Sequence, residues 1–427
     1  MIKVMKLGEI SPDEIFKRNE PLDNVSETVR DIITRVRQGG DAALLSYERQ
    51  FDCATLETVK MSAKAFEEGS SAVSGEFFGV LKRAYGNIEA FHKNQIRQGF
   101  ISNDRPGVAA GQKIVPIEKV AIYVPGGLAA YPSTVLMAAI PAKLAGCAEI
   151  YVATPPMKDG SVRPEIIAAA KLCGVTGIFT MGGAQAIAAL AFGTETVPKV
   201  DKIVGPGNAY VAEAKKQVFG KVSIDMIAGP SEILIIADGK SDPRVVAADM
   251  LSQAEHDKNA SAVLVTDSVE LASKVVTELY SRLDELERKE IALPSIENNG
   301  KIIIAGSIRE AVEVSNRIAP EHLELLVDDP FDHLDAVKNA GSVFLGRNAP
   351  EALGDYMAGP NHTLPTGGTA RFASPLSVDD FIKKIQYTYF GEQALFDICD
   401  DVARFAEAEG LTGHAKSALI RRKIREG

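Results

Sequence analysis

The chain alternates between two textures of apolar and polar positions. Over its first hundred or so residues the apolar positions recur at helical spacing. Val25, Val29, Ile32, Ile33 and Val36 lie on one stripe, closed by Gly39-Gly40, with Asp41 placed to cap the next helix. Phe77, Leu81, Ala84, Ile88 and Phe91 form a second stripe, and His92, beside Lys93 and Asn94, reads as a surface residue. From Lys119 short apolar runs take over: VAIYV from Val120, EIYVA from Glu149, GIFTM from Gly177 and KIVG from Lys202. A second series follows, with EILIIA from Glu232, SAVLV from Ser261, KIIIA from Lys301, HLELLV from His322 and SVFLG from Ser342.

Continuous Val/Ile/Leu runs separated by helical segments predict parallel strands covered on both faces. Two series predict two α/β units rather than one very wide sheet. The early helices are assigned to the second unit, with the first inserted between them. Beyond about Pro375 the strand signals stop; Ile398, Val402 and Phe405 make one more helical stripe, Gly410 breaks it, and a short helix starts near Thr412 with His414 in its first turn. This tail is too small to hold a core of its own and is expected to pack on something else. The expected organisation is an N-terminal arm over 1–20, a first α/β domain made of 21–119 and 232–375, an inserted α/β domain over 120–231, and a helical tail over 376–427.

Composition narrows the function. With 427 residues, 46% hydrophobic and 24% charged, the chain is long enough for two or three domains and has an ordinary globular balance. A formal net charge of −10 disfavours partners that need a broad basic surface, nucleic acid and anionic membrane among them. The one basic cluster, Arg421, Arg422, Lys423 and Arg425, reads as cations on the last turn of a terminal helix. Cys53, Cys147, Cys173 and Cys399 form no CxxC pair and read as small buried residues in a reduced cytoplasm. The stretch MIKVMKLGEISPDE lacks the apolar core of a signal peptide, and the longest uncharged stretch, Val120 to Ala142, carries Pro125, Pro132 and Pro141, which would break a membrane span. A soluble cytoplasmic protein is expected.

Candidate chemistry gathers around histidine. Of six histidines, His333 sits among charges and reads as solvated, but four occupy contexts that surface packing does not explain. His256 lies in SQAEHD near a helix end, three residues from Gln253 and on its face. His322 follows Glu321 where Pro320 and a new strand form a junction. Asp355 and His362 lie in the Gly/Pro-rich stretch GDYMAGPNHTLPTGG, and His414 follows Glu409 in EGLTGHA. Histidine and carboxylate without cysteine suit zinc or another divalent metal, although no HExxH pattern is present. The nucleotide signal is weaker. There is no GxGxxG, and GPGNAY from Gly205 has the wrong third position. Pro125-Gly126-Gly127 and Gly182-Gly183-Ala184-Gln185 are strand–turn–helix junctions whose free N–H groups suit a pyrophosphate, or tight turns that simply need glycine.

At this point the motifs stop being generic. YVPGG (Tyr123 to Gly127), GGAQAIAALAFGTETVPKVDKIVGPGN (Gly182 to Asn208), AGPSE (Ala228 to Glu232), LSQAEHD (Leu251 to Asp257), APEHLEL, AGSVFLG, GDYMAGPNHTLPT and EGLTGHA resemble the histidinol dehydrogenase family in order and spacing. The resemblance runs from roughly Pro21 to the C-terminal helix. It implies two incomplete Rossmann-like parallel-sheet domains with a helical arm and a small helical tail. It implies one zinc held by Gln253, His256, Asp355 and His414, and an acid–base pair, Glu321 and His322. Substrate contacts fall on Ser231, His362 and Glu409 besides His322 and the metal ligands; NAD contacts fall on Tyr123, Gln185 and Asn208. It further implies a homodimer whose tail reaches the partner's site, and the two-step oxidation of histidinol through histidinal to histidine. A paralogous dehydrogenase of the same fold, acting on another amino- or sulfo-alcohol, is the alternative.

Overall fold

The structure, a computed structural model, describes residues 1–9, 11, 15–16, 25–126 and 130–426. Gly127 of the YVPGG motif, Pro21 where the resemblance begins, much of the expected arm and the side chains of Lys423 and Arg425 lie outside the described residues. The strands are β1 (Lys3–Lys6), β2 (Phe100–Ser102), β3 (Val108–Pro116), β4 (Lys119–Tyr123), β5 (Glu149–Thr154), β6 (Gly177–Thr180), β7 (Lys202–Val204), β8 (Ser223–Ile224), β9 (Glu232–Ala237), β10 (Ser261–Thr266), β11 (Lys301–Ile304), β12 (His322–Leu326), β13 (Ser342–Leu345) and β14 (Ile382–Phe390). The chain divides into two compact units, Met1–Gln95 with Ile117–Phe381 and Ile96–Pro116 with Ile382–Gly427.

The first unit holds two parallel sheets. One has five strands in the order β6-β5-β4-β7-β8; the other has six, in the order β1-β11-β10-β9-β12-β13. All nine apolar runs of the sequence are strands here, and the α/β class is as expected. Leaving β1 aside, each sheet runs outward in both directions from its first strand, β4 or β9. The order therefore reverses between β4 and β7 in one sheet and between β9 and β12 in the other, as in a Rossmann-type half.

The early helices pack on the five-stranded sheet, not on the six-stranded one to which the sequence reading assigned them. Val29, Ile32 and Val36 of helix Ser26–Phe51 share a core with Phe179, Ile187 and Val211. Leu81, Ala84 and Ile88 of helix Gly75–His92 join Ile122, Val135 and Ile167 on the other face. Half of helix Gly183–Phe192 (GAQAIAALAF) is alanine, and such small side chains let a second helix layer approach closely.

Three local expectations need correction. His92 is buried: its Nδ1 lies 2.8 Å from Ile88 O and its Nε2 lies 3.3 Å from Asn361 Nδ2, so the stripe continues from Ile88 by four residues while Phe91 is exposed. Asp41 does not cap a helix. Gly40 (φ 51°) kinks helix Ser26–Phe51, and the Asp41 carboxylate accepts from the Thr194 hydroxyl instead. Of the cysteines only Cys173 and Cys399 are buried; Cys147 is half-buried and Cys53, at φ 56°, is exposed.

A buried ion pair fastens the turn after β7. Lys215 and Asp225 are 2% and 1% exposed and pair with each other. Lys215 Nζ donates to Gly205 O at 2.9 Å, and Gly205 N donates to Asp225 Oδ2 at 2.7 Å. Gly205 has φ +117° and its missing Cβ would stand 2.1 Å from Tyr123 O, so this approach of backbone to backbone admits glycine only. Asp225→Asn strands the Lys215 charge and is expected to cost about 3–5 kcal/mol of stability, read as a lower denaturant midpoint. An unchanged midpoint would show that the pair contributes nothing.

The second unit is an antiparallel sheet, β14-β3-β2, with helices Cys399–Ala408 and Thr412–Glu426. The sequence reading placed no strand here, because β14 (IKKIQYTYF) is polar and its partner β3 lies far back in the chain. Among the described residues the helices share Ala403, Ala406 and Ala415 as a buried cluster, with Leu419 against it. Val402 and Phe405 of the helical stripe are 40% and 71% exposed. Among the described residues no helix is long and apolar enough to cross a membrane.

Candidate active site

Ligands of open parallel sheets usually meet the carboxyl ends of the strands at the switch point. In the six-stranded sheet that end is filled. Arg347 donates through Nη2 to Asp238 Oδ1 (2.6 Å) and Oδ2 (2.8 Å), and through Nη1 to Asp328 Oδ1 (2.8 Å); the Ser241 hydroxyl donates to Leu326 O at 2.7 Å. The candidate side chains lie at the opposite, amino ends of β9 and β12.

There the backbone of Glu232, first residue of β9, orients two side chains. Its N–H donates to Glu321 Oε2 at 2.9 Å, and its carbonyl lies 3.0 Å from His322 Nδ1. A carbonyl can only accept, so Nδ1 carries the proton and Nε2 keeps its lone pair. His322 Nε2 stands 3.7 Å from Glu351 Oε1. Glu351 starts the short helix Glu351–Tyr356, and its N–H donates to Glu324 Oε1 at 2.7 Å. A glutamate inside the apolar run HLELL thus sets the start of that helix. Asp355, one turn on, has Oδ1 3.7 Å from His362 Nδ1. His322, Phe344, Gly354, Asp355, His362 and Leu364 are among the residues lining a cavity of 280 Å³.

The electrostatics are those of crowded acids. Burial raises Glu321 well above the usual carboxylate range, and the charges of Glu232, Asp355 and Glu351 add to this, although the Glu232 N–H pulls it down. Asp355 is pushed up to about 7 by burial and by the Glu351 charge. Burial lowers His322, against the pull of Glu351, and drives His362 down to about 4 with help from His322 and His256. Both rings are therefore neutral at neutral pH. A cation among these acids would lower every one of them. Among the described residues His322, Glu351 and Asp355 offer ligand atoms within 4.8 Å of one another. Glu351 Oε1 and Gln253 Oε1 are buried without a hydrogen-bond partner, as suits oxygens that meet a cation. The donor set therefore fits a divalent metal.

Of the expected metal ligands, Asp355 belongs to this group. Gln253 is buried in the last turn of helix Pro243–Ala254, and His256 is exposed just beyond it, its N–H donating to Gln253 O at 3.1 Å. His414 and Glu409 belong to the second unit, both exposed, His414 in the first turn of helix Thr412–Glu426 and Glu409 just past the end of helix Cys399–Ala408. Ser231 is half-buried directly before β9, next to Glu232. Glu351 and Glu324 were not singled out from the sequence; a lone acid in a buried strand run was the available signal.

Tyr123 and Asn208 flank the switch point of the five-stranded sheet, at the carboxyl end of β4 and beyond that of β7. Asn208 Oδ1 caps helix Ala209–Val218 by accepting from Tyr210 N and Val211 N, both at 3.1 Å, which leaves Nδ2 as its outward donor. The Gly182-Gly183 turn is not a free phosphate cradle. Gly182 N donates to Glu48 Oε1 (3.3 Å) and Gly183 N to the Tyr123 hydroxyl oxygen (3.0 Å), so both N–H groups are already satisfied.

The histidinol dehydrogenase family model matches residues 16–422. The chain belongs to the histidinol dehydrogenase family. It is 50% identical to the histidinol dehydrogenase of Clostridium acetobutylicum over 99% of both chains, and 51% identical to that of Bacillus cereus over 96% of both. The crystal structure of histidinol dehydrogenase from Elizabethkingia anophelis superposes with a TM-score of 0.94 at 38% identity, over 100% of this chain and 99% of that one. The resemblance drawn from the motifs is thereby borne out for the histidinol dehydrogenase family as a whole, across both sheets and the tail.

Proposed function

We propose that this chain oxidises L-histidinol through L-histidinal to L-histidine with two NAD in succession, the last step of histidine biosynthesis. The observation that carries the reading is the pair Glu321–His322 at the amino end of β12. Both side chains are aimed by the backbone of Glu232, beside a cavity of 280 Å³ suited to a small polar molecule. Zinc held by Gln253, His256, Asp355 and the partner's His414 would grip the substrate's nitrogens, and NAD would accept hydride. His322 Nε2 takes the hydroxyl proton as the alcohol is oxidised. The aldehyde has no hydroxyl, so the second step proceeds through its hydrate, and Glu321 activates the water that forms it. Ser231, His362 and the partner's Glu409 position the substrate, with Glu409 answering its positive charge. Tyr123, Gln185 and Asn208 contact NAD at the β4–β7 switch point.

The partner is a second copy of this chain. The tail unit's own buried cluster is three alanines, while Phe405, Ile424, Tyr389, Phe100 and Ile101 are exposed apolar side chains that a second copy would cover. The decisive assay adds histidinol and NAD and follows NADH: two NADH per histidine are expected. One NADH per substrate, or activity only on another amino- or sulfo-alcohol, would replace this reading by that of a paralogous dehydrogenase. About one zinc per subunit is expected. His256→Ala, at an exposed position outside the core, should lose the metal and keep the fold, read by circular dichroism. Full zinc content in that variant would remove His256 from the ligand set.

A further inference from the structure

The structure assigns Glu48, on helix Ser26–Phe51, as a positioning residue of the cofactor site that fixes which face of the Gln185 amide meets the dinucleotide. Glu48 is 0% exposed although it is acidic, and it comes from a part of the chain that carries no other site residue. Its Oε1 accepts from Gln185 Nε2 at 3.1 Å and from Gly182 N at 3.3 Å, and its carboxyl faces that of Asp52. Gln185 lies in the first turn of helix Gly183–Phe192, and Gly183 N is held by the Tyr123 hydroxyl at 3.0 Å. Two of the three residues read as NAD contacts are thus locked at one turn, Gln185 by Glu48 and Tyr123 by the backbone. The bond from one Nε2 hydrogen to Glu48 keeps the amide from turning over, so that Oε1, an acceptor, stays on the Gly183 side, where a Gly183 Cβ would stand 2.6 Å from it. The partner that Oε1 selects there is a donor on the cofactor, an amide N–H or a ribose hydroxyl.

The protonation of Glu48 fits this task. Burial pushes its carboxyl up to about 8; the Gln185 and Gly182 hydrogen bonds work against that, and the neighbouring Asp52 charge works with it. The titratable groups facing it are Asp52 on its own chain segment and Tyr123 on β4, and neither supplies a positive charge. Below about pH 8 a neutral Glu48 still accepts from Gln185 and adds no negative charge beside an anionic dinucleotide. Above it, the ionised form does add one.

This inference rests on the NAD reading of Gln185, so the test carries both. NAD binding to the full-length, zinc-loaded protein is measured by calorimetry, with histidinol binding measured in parallel. Glu48→Ala should raise the NAD Kd about tenfold and leave histidinol binding unchanged. Glu48→Gln keeps the acceptor and the fold, and should bind NAD within about twofold of the parent. The parent should lose about threefold in NAD affinity between pH 7 and pH 9.5, and Glu48→Gln should not. If Gln185→Ala weakens NAD while Glu48→Ala does not, the positioning role is overturned and the cofactor reading stands. If Gln185→Ala has no effect, both fall. An alkaline loss that persists in Glu48→Gln also overturns the assignment, and that variant needs no tolerance of a cavity.

Discussion

His322→Asn slows both oxidations by about 10²–10⁴-fold, whereas Glu321→Gln impairs the oxidation of added histidinal far more than that of histidinol. The division follows from the way Glu232 holds the two side chains. Its carbonyl fixes the proton on His322 Nδ1 and leaves Nε2 as a base, neutral because burial lowers the ring. Asparagine cannot take a proton at that place. Glu321 is held by the Glu232 N–H at 2.9 Å, a bond that a glutamine oxygen can keep. Its substitution therefore removes the ionisable group while preserving shape, and any loss reports on proton transfer. Single-turnover measurements started from histidinol and from histidinal separate the steps. An equal loss in both steps for Glu321→Gln would abolish the division of labour.

The second large effect is a recovery. His414→Ala and Glu321→Gln should each be nearly inactive as homodimers, because one lacks a metal ligand from the tail and the other a base in the main body. Mixed after dissociation, about half the dimers are hetero-pairs, and in each of these one site gathers both defects and the other none. Activity should approach roughly a quarter of wild type per total site, the arithmetic of two-fold symmetry. If the mixture stays inactive although subunit exchange is confirmed by mass, the tail serves its own chain. The exposed Phe405 and Ile424 then need another covering.

Much of this was legible in the sequence, for identifiable reasons. The nine apolar runs became strands because a strand buried on both faces must be apolar at every position, which is visible without knowing its neighbours. The Glu321–His322 pair stood out because it sits where Pro320 ends one element and β12 begins. Three things were illegible. β14 alternates with lysine and tyrosine and finds its partner β3 across most of the chain, so only pairing reveals it. His92 hides because Lys93 and Asn94 beside it point outward while its ring turns to Asn361. Glu351 and Glu48 look like any acids on helices. Their roles come from what they meet, the His322 ring in one case and the Gln185 amide in the other, and such meetings depend on tertiary structure.

Strand β1 carries a consequence for synthesis. Lys3 pairs with Lys301 and Lys6 with Ile304, so the first strand made waits for one of the later ones. At about 5–20 residues per second that wait is on the order of tens of seconds. The five-stranded sheet, continuous from β4 to β8, can close on the ribosome meanwhile, together with the helices that precede it. The six-stranded sheet cannot finish until β13 emerges, and until β11 does, Val4 and Met5 remain without their partner strand. Nascent chains stalled before residue 301 should therefore bind chaperones through their amino terminus, and chains stalled well past β11 should release them.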